Sequence, residues 1–417
     1  MFPIEIDRSG LVPQLYNMTN GRPLYLFYDS HIDIVRIDFI FDAGTALQCK
    51  FLQTASAIQL LTEGTSRRSA RDIAEFMDFR GIVVEKNCDT VSATLTVYSL
   101  SRYLDELLPL LHECYTDAAY PQVEFDVFAA KRRQNLQTMA LKPSHIARCR
   151  FYESLYGKEH PLGRFATADD IDSLSVDDVR RYSKDYLNPS RLTILMGGNV
   201  KPEAVKLVDR LFGTTPTAPY EPIALPAPAG DATGLLRVPM PNAVQGALRV
   251  GRLLPFEWSD PDYSRFMVLN TILGGYFGSR LMTNIREDKG YTYGIYSQTQ
   301  IYRGSLAFYI VSDVAGDKVD AALKEIHNEV QRLCEEPVPD EELQLVKSTM
   351  AGDFLRGIDG VFERMERFAM MRNCGITEQF TDNLLAIFND DGVTSSELRD
   401  LAAKVLNYDT MLAIAAK

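Results

Sequence analysis

Apolar positions along the chain follow strand and helix periodicities that occur twice in the same order. The run Ser92-Ala-Thr-Leu-Thr-Val-Tyr98 alternates, while Ser305-Leu-Ala-Phe-Tyr-Ile-Val311 is almost continuously apolar over the same length, so each predicts a strand. Behind them come apolar positions at helical spacing: Leu104, Leu107, Leu108 and Leu111 in the first copy, and Val319, Leu323, Ile326, Val330 and Leu333 in the second. Such stripes predict amphipathic helices packed on a sheet. Pro121-Gln-Val-Glu-Phe125 and Pro339-Asp-Glu-Glu-Leu343 each open a further helix, with proline where a missing N–H costs nothing. Ser175 with Asp178 and Thr394 with Glu397 then stand at capping-box spacing, ahead of helices that lead into the strands Arg191-Leu-Thr-Ile-Leu195 and Thr410-Met-Leu-Ala-Ile414.

The offset between the copies grows from 213 to 219 residues, as short loop insertions would produce, and marks an internal duplication. Between them Pro216, Pro219, Pro222, Pro226 and Pro228 are interleaved with alanine and threonine. That composition favours extended backbone and cannot build a core. The expected organisation is a domain over residues 1–213, a Pro/Ala-rich linker over 214–234 and a second domain over 235–417. The expected fold class is α+β: two homologous α/β sandwiches, each a mainly antiparallel sheet with helices on one face.

With 46% hydrophobic and 24% charged residues the 417-residue chain is ordinary globular material. Its 56 acidic against 44 basic side chains give a net charge of −12, which argues against nucleic acid or an anionic membrane as partner. No run of about 18 apolar residues is present, and Met1 to Gly10 carries Glu5, Asp7 and Arg8 where a secretion signal needs an apolar stretch. The expected address is cytoplasmic. Six cysteines, Cys49, Cys88, Cys114, Cys149, Cys334 and Cys374, lack any C-x-x-C spacing and read as reduced, mostly buried thiols.

Two stretches of the second copy, Leu273-Gly-Gly-Tyr-Phe-Gly-Ser-Arg-Leu281 and Ile285-Arg-Glu-Asp-Lys-Gly-Tyr-Thr-Tyr293, resemble the second domain of the pitrilysin/insulinase (M16) metallopeptidases and their mitochondrial processing peptidase relatives. In the first copy, Leu60-Leu-Thr-Glu-Gly-Thr65 and His160-Pro-Leu-Gly163 resemble that family's first domain. The resemblance covers essentially the whole chain, as a half-length member, and implies sandwiches of the LuxS/MPP-like metallohydrolase type. It also implies a clam-shell, in which two two-domain halves enclose unfolded peptides and the second shell comes from a partner subunit, identical or different.

Chemistry of this kind needs His-x-x-Glu-His, in which two histidines on one helix face hold Zn²⁺ and the glutamate activates the bound water. Counted back from Glu63-Gly64-Thr65, the five motif positions fall on Ala55, Ser56, Ala57, Ile58 and Gln59, and the downstream carboxylate falls near Gln134 or Asn135. None is a zinc ligand of the required kind. The five histidines, His31, His112, His145, His160 and His327, include no pair at helical spacing, and His31 and His145 read as lacking any neighbouring ligand. His112 and His327, at equivalent places beside apolar stripes, read as boundary residues. No G-x-S-x-G elbow or P-loop is present, Leu273-Gly-Gly-Tyr-Phe-Gly278 lacking the Lys-Ser/Thr ending.

What the resemblance leaves intact is an arginine and a tyrosine seven residues apart, Arg286 and Tyr293 with Gly290 between them. In the family the arginine holds substrate backbone and the tyrosine donates near the scissile carbonyl, roles that suit a guanidinium and a phenol. Arg280 and Tyr291 are nearby decoys. The expectation is a chain with no metal or cofactor of its own, acting as the non-catalytic, substrate-binding subunit beside a zinc-bearing homologue. The alternatives are a peptide-binding or scaffold homodimer and, third, a zinc peptidase acting by itself.

Overall fold

The computed structural model describes residues 10–230, 232–389 and 392–417, so Glu5, Asp7 and Arg8 lie outside the described residues. Six strands of the first half, β1 (Gln14–Asn17), β2 (Pro23–Tyr28), β3 (Ile34–Phe41), β4 (Val83–Cys88), β5 (Ala93–Leu100) and β6 (Leu192–Gly198), form one sheet in the order β1-β2-β6-β3-β5-β4. Five of the second half, β7 (Gly234–Val238), β8 (Gln245–Leu253), β9 (Thr292–Tyr302), β10 (Ser305–Ala315) and β11 (Leu412–Ala416), form another in the order β7-β11-β8-β10-β9. Apart from β1 the two orders superpose strand for strand. In each sheet one pair is parallel, β2 with β6 and β7 with β11, and the other pairs are antiparallel. The duplication read from apolar spacing is therefore a duplication of topology, and the α+β class stands.

The helical stripes pack as their spacing requires. Leu107 and Leu111 of helix Leu104–Thr116 share one buried core with Ile37 and Phe39 of β3, and Ile326 and Val330 of helix Val319–Glu335 share the equivalent core with Phe308 and Ile310 of β10. Both capping boxes form: the Ser175 hydroxyl accepts from Asp178 N, and Thr394 accepts from Glu397 N. Each satisfies amides that the first helical turn leaves unpaired.

One arrangement goes beyond that reading. Helix Pro143–Tyr156 of the first half packs through Ala147, Phe151, Leu155 and Tyr156 on the outer face of the second sheet, against Tyr309, Leu412 and Ile414. Helix Val361–Cys374 of the second half returns the contact, setting Val361 and Met365 on Phe27, Ile40 and Leu195. Each half's own helices thus cover one sheet face, and a helix lent by the other half covers part of the opposite face. β6 and β11 are buried at every residue, as strands covered on both faces must be. A Cβ at Gly197 would overlap Met365 Sδ, so glycine there is what lets the lent helix approach.

Polar groups fix the exchange. Arg372 of the lent helix forks onto Asp42 with both contacts at 3.1 Å and reaches Thr193 Oγ1 at 2.8 Å. Burial alone would raise the Asp42 pKa; Arg372 and the Tyr220 hydroxyl more than reverse that and hold it below the usual carboxylate range. Across the other contact Arg249, 8% exposed, lies 4.3 Å from the Tyr309 ring centroid and 5.7 Å from that of Phe151. The proline-rich stretch has no helix or strand over 214–230, yet it is stapled down: His160 Nε2 donates to Pro226 O at 2.9 Å and Arg303 donates to Ile223 O at 3.2 Å.

Of the cysteines only Cys114 is fully buried; Cys49 is exposed and the other four are half-buried. No disulfide joins them. Among the described residues no helix is long and apolar enough to cross a membrane.

Two outcomes follow from the exchange. Phe151→Ala removes a fully buried ring from the inter-half contact and is expected to cost about 3–5 kcal/mol in chemical denaturation. Because the Asp42 pKa is depressed in the folded chain, its stabilising share is complete above the ordinary value near 3.8 and is lost as pH falls below it. The thermal-melting gap between wild type and Asp42→Asn is therefore expected to be widest near neutrality and to close below about pH 4.

Candidate peptide-binding site

The segment aligned with the zinc helix is a seven-residue helix, Gln53–Gln59, held by polar ties at both ends. The Gln53 side chain accepts from Cys49 N and Lys50 N, each at 2.9 Å, and donates to Asp178 O at 3.2 Å. Lys50 Nζ stands 2.7 Å from Asp178 Oδ2; although burial works the other way, that bond and those from Ser175 bring the Asp178 pKa down to about 2. At the far end Gln59 Nε2 donates to Lys86 O at 2.7 Å, and Lys86 Nζ donates back to Gln59 O at 2.6 Å and to Glu63 Oε1 at 2.8 Å.

Within that helix Ser56, Ala57 and Ile58 have no solvent exposure. Ile58, standing where a catalytic glutamate would be, sits in the apolar core beside Ala57 and Leu61. Ala55 faces a cavity of about 550 Å³ whose wall also includes Asn135, Cys88, His145 and Tyr302. Asn135 rather than Gln134 thus shares a wall with the motif helix. His145 has a neighbour that the sequence reading passed over: Cys149, one helical turn on, with Sγ 3.4 Å from Nε2. Burial and the adjacent Arg148 push the His145 pKa down, and burial pushes Cys88 and Cys149 up to about 11, so all three are neutral near pH 7. His31 likewise has a partner, Asp29 Oδ1 at 3.0 Å. His112 packs edge-on against Phe212 and His327 stacks on Tyr408, which makes both of them boundary residues. His160 is spent structurally, accepting from Leu162 N at Nδ1 while its Nε2 donates to Pro226 O.

Arg286 and Tyr293 stand elsewhere. Two π-helical turns, Thr271–Gly275 and Met282–Asp288, flank the glycine-rich loop, and widened turns of this kind recur at functional sites. Gly274 is required where the first turn meets β9, since a Cβ there would lie 2.5 Å from Ser297 N. Arg286, on the second turn, holds its guanidinium 4.5 Å from the Phe277 ring centroid and has one buried nitrogen without a partner. Tyr291 N donates to Ile285 O at 3.0 Å, and with Gly290 at φ +65° this folds the chain back so that Tyr293 begins β9 at 92% exposure. Phe277 and Tyr296 are also exposed, aromatic residues that the search for a spaced Arg–Tyr pair did not include; the solvent-facing alternation along β9 is the signal that could have found Tyr296.

Arg280 forks onto Glu342 at 2.9 and 2.7 Å and is structural, and Tyr291 is half-buried under Lys318. No hydrogen bond joins Arg286 to Tyr293 among the described residues, and neither lines the cavity at Ala55. Tyr302, at the other end of β9, does. Nine residues of strand separate Tyr293 from Tyr302, roughly 30 Å, so one chain does not bring its Arg–Tyr pair to its own motif helix.

Residues 173–350 match the model of the peptidase M16 inactive domain, a span that includes Arg286 and Tyr293. The uncharacterized zinc protease YmxG of Bacillus subtilis is 28% identical over 368 residues, 84% of this chain and 86% of that protein. An uncharacterized zinc protease of Streptomyces coelicolor is 25% identical over 85% of this chain and 78% of its own length. Among solved structures, a peptidase M16 inactive domain from Pseudomonas fluorescens superposes with a TM-score of 0.85 at 19% identity, over 97% of this chain and 98% of that one. A protease from Helicobacter pylori gives 0.83 at 17%, over 97% and 100%.

Zinc, which the relatives' names imply, does not fit the residues present. Ala55, Ile58, Gln59 and Asn135 supply no imidazole, thiolate or carboxylate, and among the described residues no group of three or more His, Cys, Asp or Glu is placed to hold a metal ion. Residues 173–350 thus resemble the peptidase M16 inactive domain, and over most of its length the chain is similar to proteins named zinc proteases while lacking the zinc-binding motif.

Proposed function

We propose that this chain is the non-catalytic, peptide-holding shell of a two-chain M16-type peptidase, in which a homologue bearing the zinc motif supplies the metal and the water-activating glutamate. The observation that carries the reading is the separation within one chain. The fully presented Tyr293 stands roughly 30 Å of strand from Tyr302, the β9 residue on the wall of the cavity beside Ala55, and neither it nor Arg286 is on that wall. An Arg–Tyr pair so far from its own first half can serve a reaction centre only across an interface.

The chemistry suits that division. The Arg286 guanidinium, steadied over Phe277 and with a nitrogen lacking a protein partner, can donate to the carbonyls of an extended peptide. The Tyr293 hydroxyl can donate to the oxygen of a scissile carbonyl as it gains negative charge, which lowers the barrier to acyl transfer. Ile58, in the apolar core, cannot activate water, so the hydrolytic step belongs to the partner.

The test is reconstitution with a zinc-motif homologue and an unstructured peptide. Cleavage is expected in the mixture and not from this chain alone. Arg286→Ala and Tyr293→Phe are each expected to lower kcat/KM of the mixture by about 10- to 100-fold, with the melting temperature of the exposed-site variant Tyr293→Phe unchanged. Full activity of both variants would overturn the assignment. Peptide binding without cleavage in any mixture would favour the homodimeric scaffold instead.

A further inference from the structure

Three arginines line the cavity beside Ala55, and among the described residues none of them is paired with a carboxylate. Arg132 comes from helix Gln122–Met139, Arg148 from the lent helix Pro143–Tyr156, and Arg164 from the loop beyond it. Among the described residues none of the three makes an ion pair or a hydrogen bond, and Arg132 Nε is shut off from solvent without a partner. Their sequence neighbours differ: Arg133 pairs with Asp172, and Arg150 with Glu153 at 3.0 Å. In a chain carrying 56 acidic residues, three unpaired arginines in one recess are not explained by a shortage of carboxylates.

The recess offers one carboxylate against three guanidinium groups, and no ion pair joins it to any of them. Asp89 is the only carboxylate on its wall, and its Oδ1 accepts from Val91 N and Ser92 N at 2.7 Å each while Oδ2 accepts from Ser92 Oγ at 2.8 Å. The guanidinium planes are steadied by rings, Arg164 at 4.7 Å from the Phe51 centroid and Arg148 at 5.7 Å from that of Phe165. Stacking of this kind occupies the flat face of a guanidinium and leaves its N–H edge free for a planar anion. A cation in the same space would meet three positive charges, so where the family's metal would stand the sign of the site is reversed.

We propose that this cavity is a carboxylate-binding site, which takes an acidic side chain or the free C-terminal carboxylate of an extended peptide. The guanidinium edges fork onto the two oxygens, and Leu136, Met139 and Leu162 of the same wall receive the apolar side chains alongside. The choice of a peptide as the carrier rests on the peptide-holding reading above; the anion preference rests on the three arginines alone. Each unpaired guanidinium that gains a charged partner contributes roughly tenfold in affinity.

The experiment uses the full chain and three fluorescent decapeptides of one neutral sequence: one with a free C-terminus, one amidated, and one amidated with a single central glutamate. At low salt at least one carboxylate-bearing peptide is expected to bind about tenfold or more tightly than the neutral one, with the advantage shrinking as salt rises. A gain by both peptides assigns the site to any carboxylate, and a gain by one assigns it to that source. Arg132→Gln, Arg148→Gln and Arg164→Gln combined are expected to erase the difference, and the three lysine replacements to keep part of it. Equal binding of all three peptides by the wild-type chain, a comparison that needs no variant to fold, overturns the proposal, as does a preference that survives the triple glutamine change. The carboxylate preference is read on this chain alone and cleavage on the mixture, so a failed reconstitution and a failed carboxylate site give different results.

Discussion

The reciprocal loan of helices between the halves is the constraint on which the rest depends. Each sheet buries one face under its own helices and part of the other under a helix from its twin, so β6 and β11 are dry on both sides. Two sandwiches joined only by a proline-rich strap would move independently, since small polar contacts between domains leave relative motion as the default. Here Phe151 and Tyr156 on one side and Val361 and Met365 on the other are core residues of the half to which they do not belong in sequence. The Arg372–Asp42 fork adds direction to an otherwise non-directional apolar contact, because a planar pair tolerates little rotation.

That interlock decides what each functional residue can reach. It sets the Tyr302 end of β9 against the cavity beside Ala55 and leaves the Tyr293 end to solvent. The length of β9 therefore separates Tyr293 from the cavity beside helix Gln53–Gln59. The same interlock brings Arg148, on the lent helix, to Arg132 and Arg164 in the first half's recess.

Much of the fold was legible because it rests on period. The stripes at Leu104–Leu111 and Val319–Leu333 and the serine and threonine caps at 175 and 394 each specify a local element, and the structure forms each of them. The loan was not legible. Ala147, Phe151 and Leu155 mark an apolar face on their helix, but a helical period states which side is buried and not which sheet buries it. The π turn around Arg286 also escaped, since a single widened turn leaves no repeat to detect. Motif spacing singled out Arg286 and Tyr293 but not their aromatic neighbour Phe277, and the three cavity arginines, sixteen residues apart on separate elements, converge only in three dimensions.

The substitutions at the motif helix fit a change of purpose better than simple decay. A helix that merely lost its histidines would leave polar remnants facing an empty recess. Here Ile58 is packed into the core, Gln59 is locked to β4 by exchanged bonds with Lys86, and Gln53 is tied through Asp178 O to the helix Val176–Tyr186. These contacts hold the helix rigid without a metal, so the recess keeps its shape while its lining changes sign. Holding three like charges together is electrostatically costly unless something of opposite charge arrives, and the surrounding −12 chain has left them unpaired. A rigid, electropositive recess and a distant, solvent-facing Arg–Tyr pair are thus two separate features of one chain, and the reciprocal loan of helices fixes how they stand to each other.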